Sequence, residues 1–264
     1  MIRELPIRVL MSRITYHPSR VAFIAVCALA FVASVSATVH FCRSMCCEME
    51  MPGHWTMSMM CMRMRGQTWG SSAISFLLMW LAMMVAMMLP SALPTFLKTG
   101  RRWNSFFSMA SGYFAMWAVA GIGIYALGVV FAAVAMQSET FSRAVPLLMS
   151  AFLFAAGFIQ FTRWKMTHLL RCRSTFGCAT SCPQYESSFQ LGCKQGVACC
   201  VCCAAPMTIQ LALGVMNPLV MIAVAMIIAA EKLLPRPAIV ARVVGISTII
   251  AGVTFFCAVL LRPA

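Results

Sequence analysis

The sequence predicts an all-α membrane protein with about seven transmembrane helices, and its composition is the first reason. Hydrophobic residues make up 62% of the 264 residues and charged residues only 10%, whereas soluble domains are roughly a quarter charged. The chain has no Asp, and its six acids are all Glu. A soluble fold this apolar would expose large sticky patches. A lipid environment removes that problem.

The lengths of the apolar runs are the second reason. A helix needs about 20 mostly apolar residues to cross the hydrocarbon core. Seven segments reach this length, near 21–39, 73–97, 104–136, 144–162, 196–215, 218–234 and 242–261. We interpret the first as an uncleaved anchor, although its basic start and small residues are also typical of a signal peptide. Met216 and Asn217 alone join the fifth and sixth segments, which predicts a tight helical hairpin.

The basic residues predict the orientation. If the seven segments alternate, 15 of the 20 Lys and Arg lie on the side of the N-terminus and 5 on the other. Because positive residues favour the cytoplasm, we expect a cytoplasmic N-terminus and an external C-terminus. The net charge of +14 is therefore a topology signal, and we expect no nucleic-acid partner.

This topology divides the chain into three parts. Residues 1–39 form a basic N-terminus and the first anchor, and residues 40–72 form an external loop rich in Met, Cys and His. Residues 73–264 form a six-helix membrane domain, in which 163–195 is a cytoplasmic loop that contains Cys.

The external loop is the most unusual segment, in a chain that holds 14 Cys and 24 Met. Thioether, thiolate and imidazole groups are the ligands that select Cu(I), and cysteine with histidine also suits zinc. Two alternatives stay open: Met as apolar filler, and Cys pairs oxidised to disulfides. The candidate ligands here are His40, Cys42, Cys46, Cys47, His54, Met57, Met59, Met60 and Cys61.

Two further candidate sites lie on predicted spans. Residues one helical turn apart share a face, so the methionines of the second span form one stripe, with Met83, Met84, Met87 and Met88 as candidate ligands. The stripe is also ordinary material for a helix core. On the fifth span, the CCVCC run supplies Cys199, Cys200, Cys202 and Cys203, and Met207 follows one turn later. The alternative is that these Cys are small residues that permit close helix packing.

The cytoplasmic loop supplies a fourth candidate pair, His168 and Cys172, which lie one turn apart if the segment is helical. Cys178, Cys182 and Cys193 follow with looser spacing than a zinc ribbon requires. Reduced thiols without a role are the alternative. Glu231 ends the sixth span beside Lys232, and we interpret it as an interfacial carboxylate, with an intramembrane cation partner as the alternative.

These motifs resemble a bacterial family of predicted metal-binding integral membrane proteins, sometimes labelled copper chaperones. The similarity covers roughly residues 73–250 and includes the runs GVMN at 214–217 and EKLLP at 231–235. Three further elements can be matched residue by residue. Met87, Met88 and Pro90 match a Met-Met-x-Pro element, and Cys199, Cys202, Cys203 and Met207 match a Cys-x-x-Cys-Cys element with a later Met. Lys165, Cys172 and Arg173 match a third element, in which His168 replaces a Cys. Ala204 replaces the usual Trp after the Cys pair. The resemblance implies metal binding in a bacterial inner membrane, with the C-terminus in the periplasm.

We therefore expect a Cu(I)-binding membrane protein, acting in copper trafficking or in the assembly of a copper enzyme. Its expected partners are membrane lipid and a copper-dependent membrane enzyme or other membrane subunits. No catalytic motif is found in the sequence, so we expect no enzymatic activity. A copper transporter, a membrane thiol oxidoreductase and a structural subunit of a larger complex remain the alternatives.

Overall fold

The computed structural model describes residues 18–44, 48–53, 55–58, 68–99, 103–174, 187–215 and 217–261. These residues form eight helices and one hairpin. In chain order the elements are α1 (Pro18–Ser44), β1 (Glu48–Met51), β2 (Trp55–Ser58), α2 (Trp69–Thr99), α3 (Trp103–Gln137), α4 (Glu139–Ile159), α5 (Arg163–Ser174), α6 (Ser188–Leu213), α7 (Pro218–Leu233) and α8 (Pro237–Leu260).

Six of these helices are long and apolar enough to cross a membrane: α1, α2, α3, α4, α6 and α8. The protein is therefore an all-α membrane protein, as the composition predicts. The predicted span 218–234 does form a helix, but α7 has only 16 residues, or about 24 Å at the helical rise. That length is below the roughly 30 Å of the hydrocarbon core. The count of seven spans therefore stays a prediction.

Two helices form the centre of the bundle. Half of the residues in the most apolar stretch of α2, and half of those in α6, are buried inside the protein. In α1 and α3 only 17% of these residues are buried. The methionine stripe of α2 faces inward, since Met79, Met83, Met84, Met87 and Met88 are all buried in the same core cluster as the cysteines of α6. The lipid-facing side chains are mainly Leu, Ile, Val and Phe. The soft sulfur atoms are thus collected between α2 and α6.

The hairpin of β1 and β2 was not predicted. Its strands pair antiparallel with Met49 opposite Met57, and Trp55 packs with Met51 and Met57 against the end of α3 and the start of α4. Pro146 explains the docking, because a proline inside a helix leaves the carbonyl four residues earlier without a partner. That carbonyl belongs to Ser142, and Trp55 Nε1 donates to it at 2.9 Å. A tertiary contact therefore holds the hairpin.

Glycines bring α3 and α6 into close contact. A Cβ at Gly192 would clash with the Met109 carbonyl, and one at Gly196 would lie 2.8 Å from the Tyr113 carbonyl. Small residues at such positions let transmembrane helices approach closely. The close approach sets the distance between Tyr113 on α3 and the cysteines that follow Gly196 on α6.

We predict that Gly192→Ala lowers the thermal unfolding midpoint of the detergent-solubilised protein. The added methyl group must push α3 and α6 apart, and overpacking of this kind costs about 1–3 kcal/mol. Gly123→Ala is the matched control, because nothing lies within 4 Å of a Cβ there and Ala is the better helix former. Equal midpoints for the two variants would contradict the close packing.

Candidate metal centre

A cluster of sulfur atoms lies where α2, α5 and α6 meet. Cys199 Sγ is 3.9 Å from Cys203 Sγ and 4.0 Å from Met88 Sδ, and Cys202 Sγ is 3.6 Å from Cys203 Sγ. The Cys172 thiol on α5 interacts with both Cys199 and Cys202. These five side chains, which we call the sulfur cluster, are at most 1% exposed.

Cys199 is the centre of the sulfur cluster and receives two further polar contacts. Lys232 Nζ on α7 donates to Cys199 Sγ at 2.9 Å, and the Tyr113 hydroxyl on α3 forms a hydrogen bond with the same sulfur, also at 2.9 Å. An ammonium group beside a thiol favours its thiolate form. Cys199 is therefore the sulfur atom of the cluster that is best prepared to act as a ligand.

A proline on α6 explains how α5 is held against the cluster. Pro206 cannot donate to the carbonyl of Cys202, four residues earlier. Lys165 Nζ on α5 donates to that Cys202 carbonyl at 2.6 Å. The same ammonium forms a salt bridge of 2.8 Å with Glu231 Oε2 on α7. One lysine thus joins α5, α6 and α7 directly beside the cysteines.

Glu231 is part of a buried network. It accepts from Gln160 Nε2 at 3.0 Å, and Arg173 donates to its backbone carbonyl at 2.9 Å. Its side chain and that of Lys165 are 2% and 1% exposed. Glu231 therefore has a cation partner inside the protein, as the alternative interpretation requires, while its depth in the membrane stays a prediction. The pair forms because α5 folds back onto α7 and covers the helix end.

The other predicted ligands of α2 and α6 lie in the same core at different depths. Met83 Sδ accepts from Gln210 Nε2 at 3.2 Å, while Met84 and Met87 are buried. Cys200 and Met207 are half-buried and pack against the core. The two sulfur motifs thus share one core, and Met88 and Cys199 make the direct sulfur contact between them.

The two predicted ligands on α5, His168 and Cys172, lie in different surroundings. Cys172 is fully buried in the sulfur cluster, whereas the ring of His168 lies 4.6 Å from the half-exposed ring of Trp164. In the candidate set from the external loop, His40 packs beside Phe41 at the end of α1, and Cys42 is half-buried there.

The structure describes little of the external loop. Met57 is buried in the apolar cluster of the hairpin, which is the packing role that the sequence left as the alternative. The remaining candidates of that loop and two cysteines of the cytoplasmic loop lie outside the described residues. They are Cys46, Cys47, His54, Met59, Met60, Cys61, Cys178 and Cys182.

Sequence reasoning did not place three polar residues at the site: Lys165, Lys232 and Tyr113. The two lysines looked like cytoplasmic topology signals because each lies at the end of an apolar run. An ionisable residue within a membrane span often has a function. That signal was available for Lys232, because the predicted span 218–234 includes it. Nothing in the sequence distinguished Tyr113 from an ordinary aromatic of a spanning helix.

The donor set fits a soft monovalent metal. Two sulfurs bound to one metal at about 2.3 Å each, with a trigonal angle, lie about 4.0 Å apart. The pairs Cys199–Cys203 and Cys199–Met88 have separations of 3.9 and 4.0 Å. Within the described ranges, no three His, Cys, Asp or Glu side chains already have the spacing of a metal site. The Met88 thioether is the further sulfur that approaches Cys199 beside Cys203, and thioethers suit Cu(I) rather than zinc.

Comparison with known proteins gives one match. The model of the PpoB2 family, described as copper chaperone, matches residues 77–255. This range includes the sulfur cluster together with Lys165, Glu231 and Lys232, and it leaves out α1 and the hairpin. No curated protein and no solved structure matches the chain.

We predict that Lys165→Met destabilises the protein by about 3–5 kcal/mol, because it leaves the Glu231 carboxylate buried without a cation. The double variant with Glu231→Met should recover only the part of that loss that comes from the unpaired charge, since the Cys202 carbonyl stays without its donor. Thermal unfolding in detergent measures both effects.

The matched control is Arg143→Met, which breaks the exposed pair of Arg143 with Glu139. Exposed pairs contribute at most about 1 kcal/mol, so the unfolding midpoint should hardly change. If Lys165→Met behaved like this control, the buried ion pair would not be holding the bundle together.

Proposed function

The chain belongs to the PpoB2 family, described as copper chaperones, and on that premise we propose that it holds Cu(I) in its sulfur cluster and delivers it. The family gives the protein a copper-related role. The specific role that we propose is copper trafficking, or the assembly of a copper enzyme. The observation that carries this proposal is the approach of Cys203 and Met88 to Cys199, each at a separation that suits two ligands of one trigonal Cu(I).

The properties of the sulfur cluster suit the binding and release of a metal ion better than they suit catalysis. Its sulfurs are buried among helices, so solvent oxidants reach them poorly. A thiol oxidoreductase needs an accessible, reactive cysteine pair, which disfavours that alternative. Two thiolates and a thioether bind Cu(I) without the geometry that a divalent ion demands. We therefore propose a binding protein rather than an enzyme, with Cu(I) as its cargo and zinc as the less suited metal.

The approach route that we propose starts at the external loop. Its Met, Cys and His side chains would capture Cu(I), and the methionines of α2 would lead it to the cluster. Met84 supports this route, because its buried thioether lies one helical turn before Met88 on the same helix. The same row of thioethers favours a transporter as the second candidate function. Uptake of copper into vesicles that contain the protein would distinguish transport from delivery on one side.

We place the protein in a bacterial inner membrane with seven crossings, the N-terminus in the cytoplasm and the C-terminus in the periplasm. Contacts within the bundle support this path. Phe23 near the start of α1 stacks on Phe106 near the start of α3, so both starts lie at one end. Glu231 at the end of α7 meets Lys165 at the start of α5. The short α7 therefore returns to the end of the bundle where α5 lies, although it has only 16 residues.

We predict that Cys199→Ser weakens Cu(I) binding by the reduced, full-length protein about tenfold or more, as loss of ligand-sphere groups does elsewhere. Met88→Leu should weaken it less, because it removes a neutral donor of similar volume. Competition with a Cu(I) chelator in detergent measures both. Cys257→Ser is the control, since Cys257 is exposed on α8. Unchanged affinity in Cys199→Ser would remove the sulfur cluster as the binding site.

We also predict that an impermeant thiol reagent labels Cys61 in intact, reduced cells but leaves Cys178 unlabelled. The reason is the distribution of Lys and Arg, which places residues 40–72 outside and 163–195 inside. Both cysteines should react after permeabilisation, which is the control. Labelling of Cys178 alone in intact cells would invert the topology.

A further inference from the structure

Lys232 carries a buried charge that has no carboxylate partner within the part of the chain that the structure describes. The buried charged side chains there are Lys165, Glu231 and Lys232. Lys165 and Glu231 form a salt bridge with each other. The neighbouring Lys232 points instead to Cys199, and it is only 5% exposed.

The surroundings of the Lys232 ammonium are neutral apart from sulfur. From α2 it faces Ser91 Oγ at 3.4 Å and Met88 Sδ at 3.9 Å. From α6 it faces Cys199 at 2.9 Å, and the Tyr113 hydroxyl of α3 contacts that same sulfur. Among the residues that the structure describes, the sulfur cluster is therefore the group placed to balance the charge of Lys232.

The inward direction of this side chain needs an explanation. A lysine at the end of a membrane helix normally extends its ammonium group to the aqueous interface, because a charge in the bilayer is costly. Lys232 lies two residues before the C-terminal cap of α7 and could reach that interface. It is folded into the bundle instead, which places a fixed positive charge against the predicted ligands.

We propose that Lys232 makes the sulfur cluster selective for a monovalent soft cation over a divalent one. This inference rests on the proposed function and adds a specificity-determining residue to it. Two thiolates and one thioether around Cu(I) carry a total charge of −1, which Lys232 neutralises. The same three ligands around Zn²⁺ or Cd²⁺ are neutral, so Lys232 would then be an uncompensated buried charge. In a bundle surrounded by lipid such a charge is strongly unfavourable.

Glu231 cannot correct the imbalance, because Lys165 and Gln160 already occupy both of its carboxylate oxygens. A divalent ion would have to recruit a third thiolate, such as Cys172 or Cys202. Selectivity therefore depends on the charge of Lys232 rather than on the size of the site.

The test uses Ag(I) as the monovalent soft probe and Cd(II) as the divalent one, bound to the reduced, full-length protein in detergent. Because the chain has 14 Cys, binding at the cluster is defined by difference. Each protein is compared with the same protein carrying Cys199→Ser. We expect the wild type to bind Ag(I) in this difference measurement and to bind Cd(II) at least about tenfold more weakly.

The decisive variant is Lys232→Gln, with Lys232→Arg as the charge-conserving control. We expect Lys232→Gln to gain Cd(II) affinity by about tenfold or more and to keep Ag(I) binding, and Lys232→Arg to resemble the wild type. The thermal unfolding midpoint of each protein without metal shows whether the variant is folded. If Lys232→Gln does not fold, Lys232→Leu replaces it as the uncharged variant.

The outcomes separate the two proposals. Wild-type protein that binds Ag(I) through Cys199 while Lys232→Gln gains no Cd(II) affinity overturns the selectivity role and leaves the proposed function standing. Equal affinity of the wild type for Cd(II) and Ag(I) overturns the selectivity role without any Lys232 variant. No binding of Ag(I) through Cys199 in the wild type overturns the proposed function itself.

Discussion

The structure depends on the contact of Lys165 with the carbonyl of Cys202. Pro206 leaves that carbonyl without its helical partner, and an unsatisfied carbonyl inside a membrane bundle costs several kcal/mol. Lys165 satisfies it at 2.6 Å and is in turn neutralised by Glu231. Three elements are therefore fixed beside the cysteines by one ammonium group. Without it, α5 would lose the ion pair and the hydrogen bond that hold its start against the middle of α6 and the end of α7.

The same principle operates at the opposite end of the bundle. Pro146 frees the Ser142 carbonyl, and Trp55 of the hairpin donates to it. In both places a proline inside a membrane helix creates an acceptor, and a donor from a non-spanning element satisfies it. These two contacts attach α5 and the hairpin to the apolar bundle by directional bonds.

Two adjacent residues of α7 have separate tasks in this arrangement. Glu231 completes the structural network around Lys165, and Lys232 contacts the Cys199 sulfur of the proposed metal centre. Because the structural pair is already neutral, the charge of the metal centre is balanced independently of it. The close glycine contact of α3 with α6 adds the Tyr113 hydroxyl to the same sulfur. The end of α7 thus carries one charge that stabilises the fold, Glu231, and one that contributes to the proposed metal specificity, Lys232.

The apolar runs and the spacing of the sulfur residues already predict the membrane class, the spanning helices and the helix face that carries each sulfur motif. Apolar runs and i, i+4 spacing are local properties, which survive in any packing of the helices. Tertiary structure alone decided which sulfurs touch, the docking of the hairpin and the burial of Lys165, Glu231 and Lys232. The physical reason is that a charge at a helix end faces water or protein depending on what folds over it. Here the covering element is α5, a polar helix whose position depends on a carbonyl that Pro206 frees in another helix.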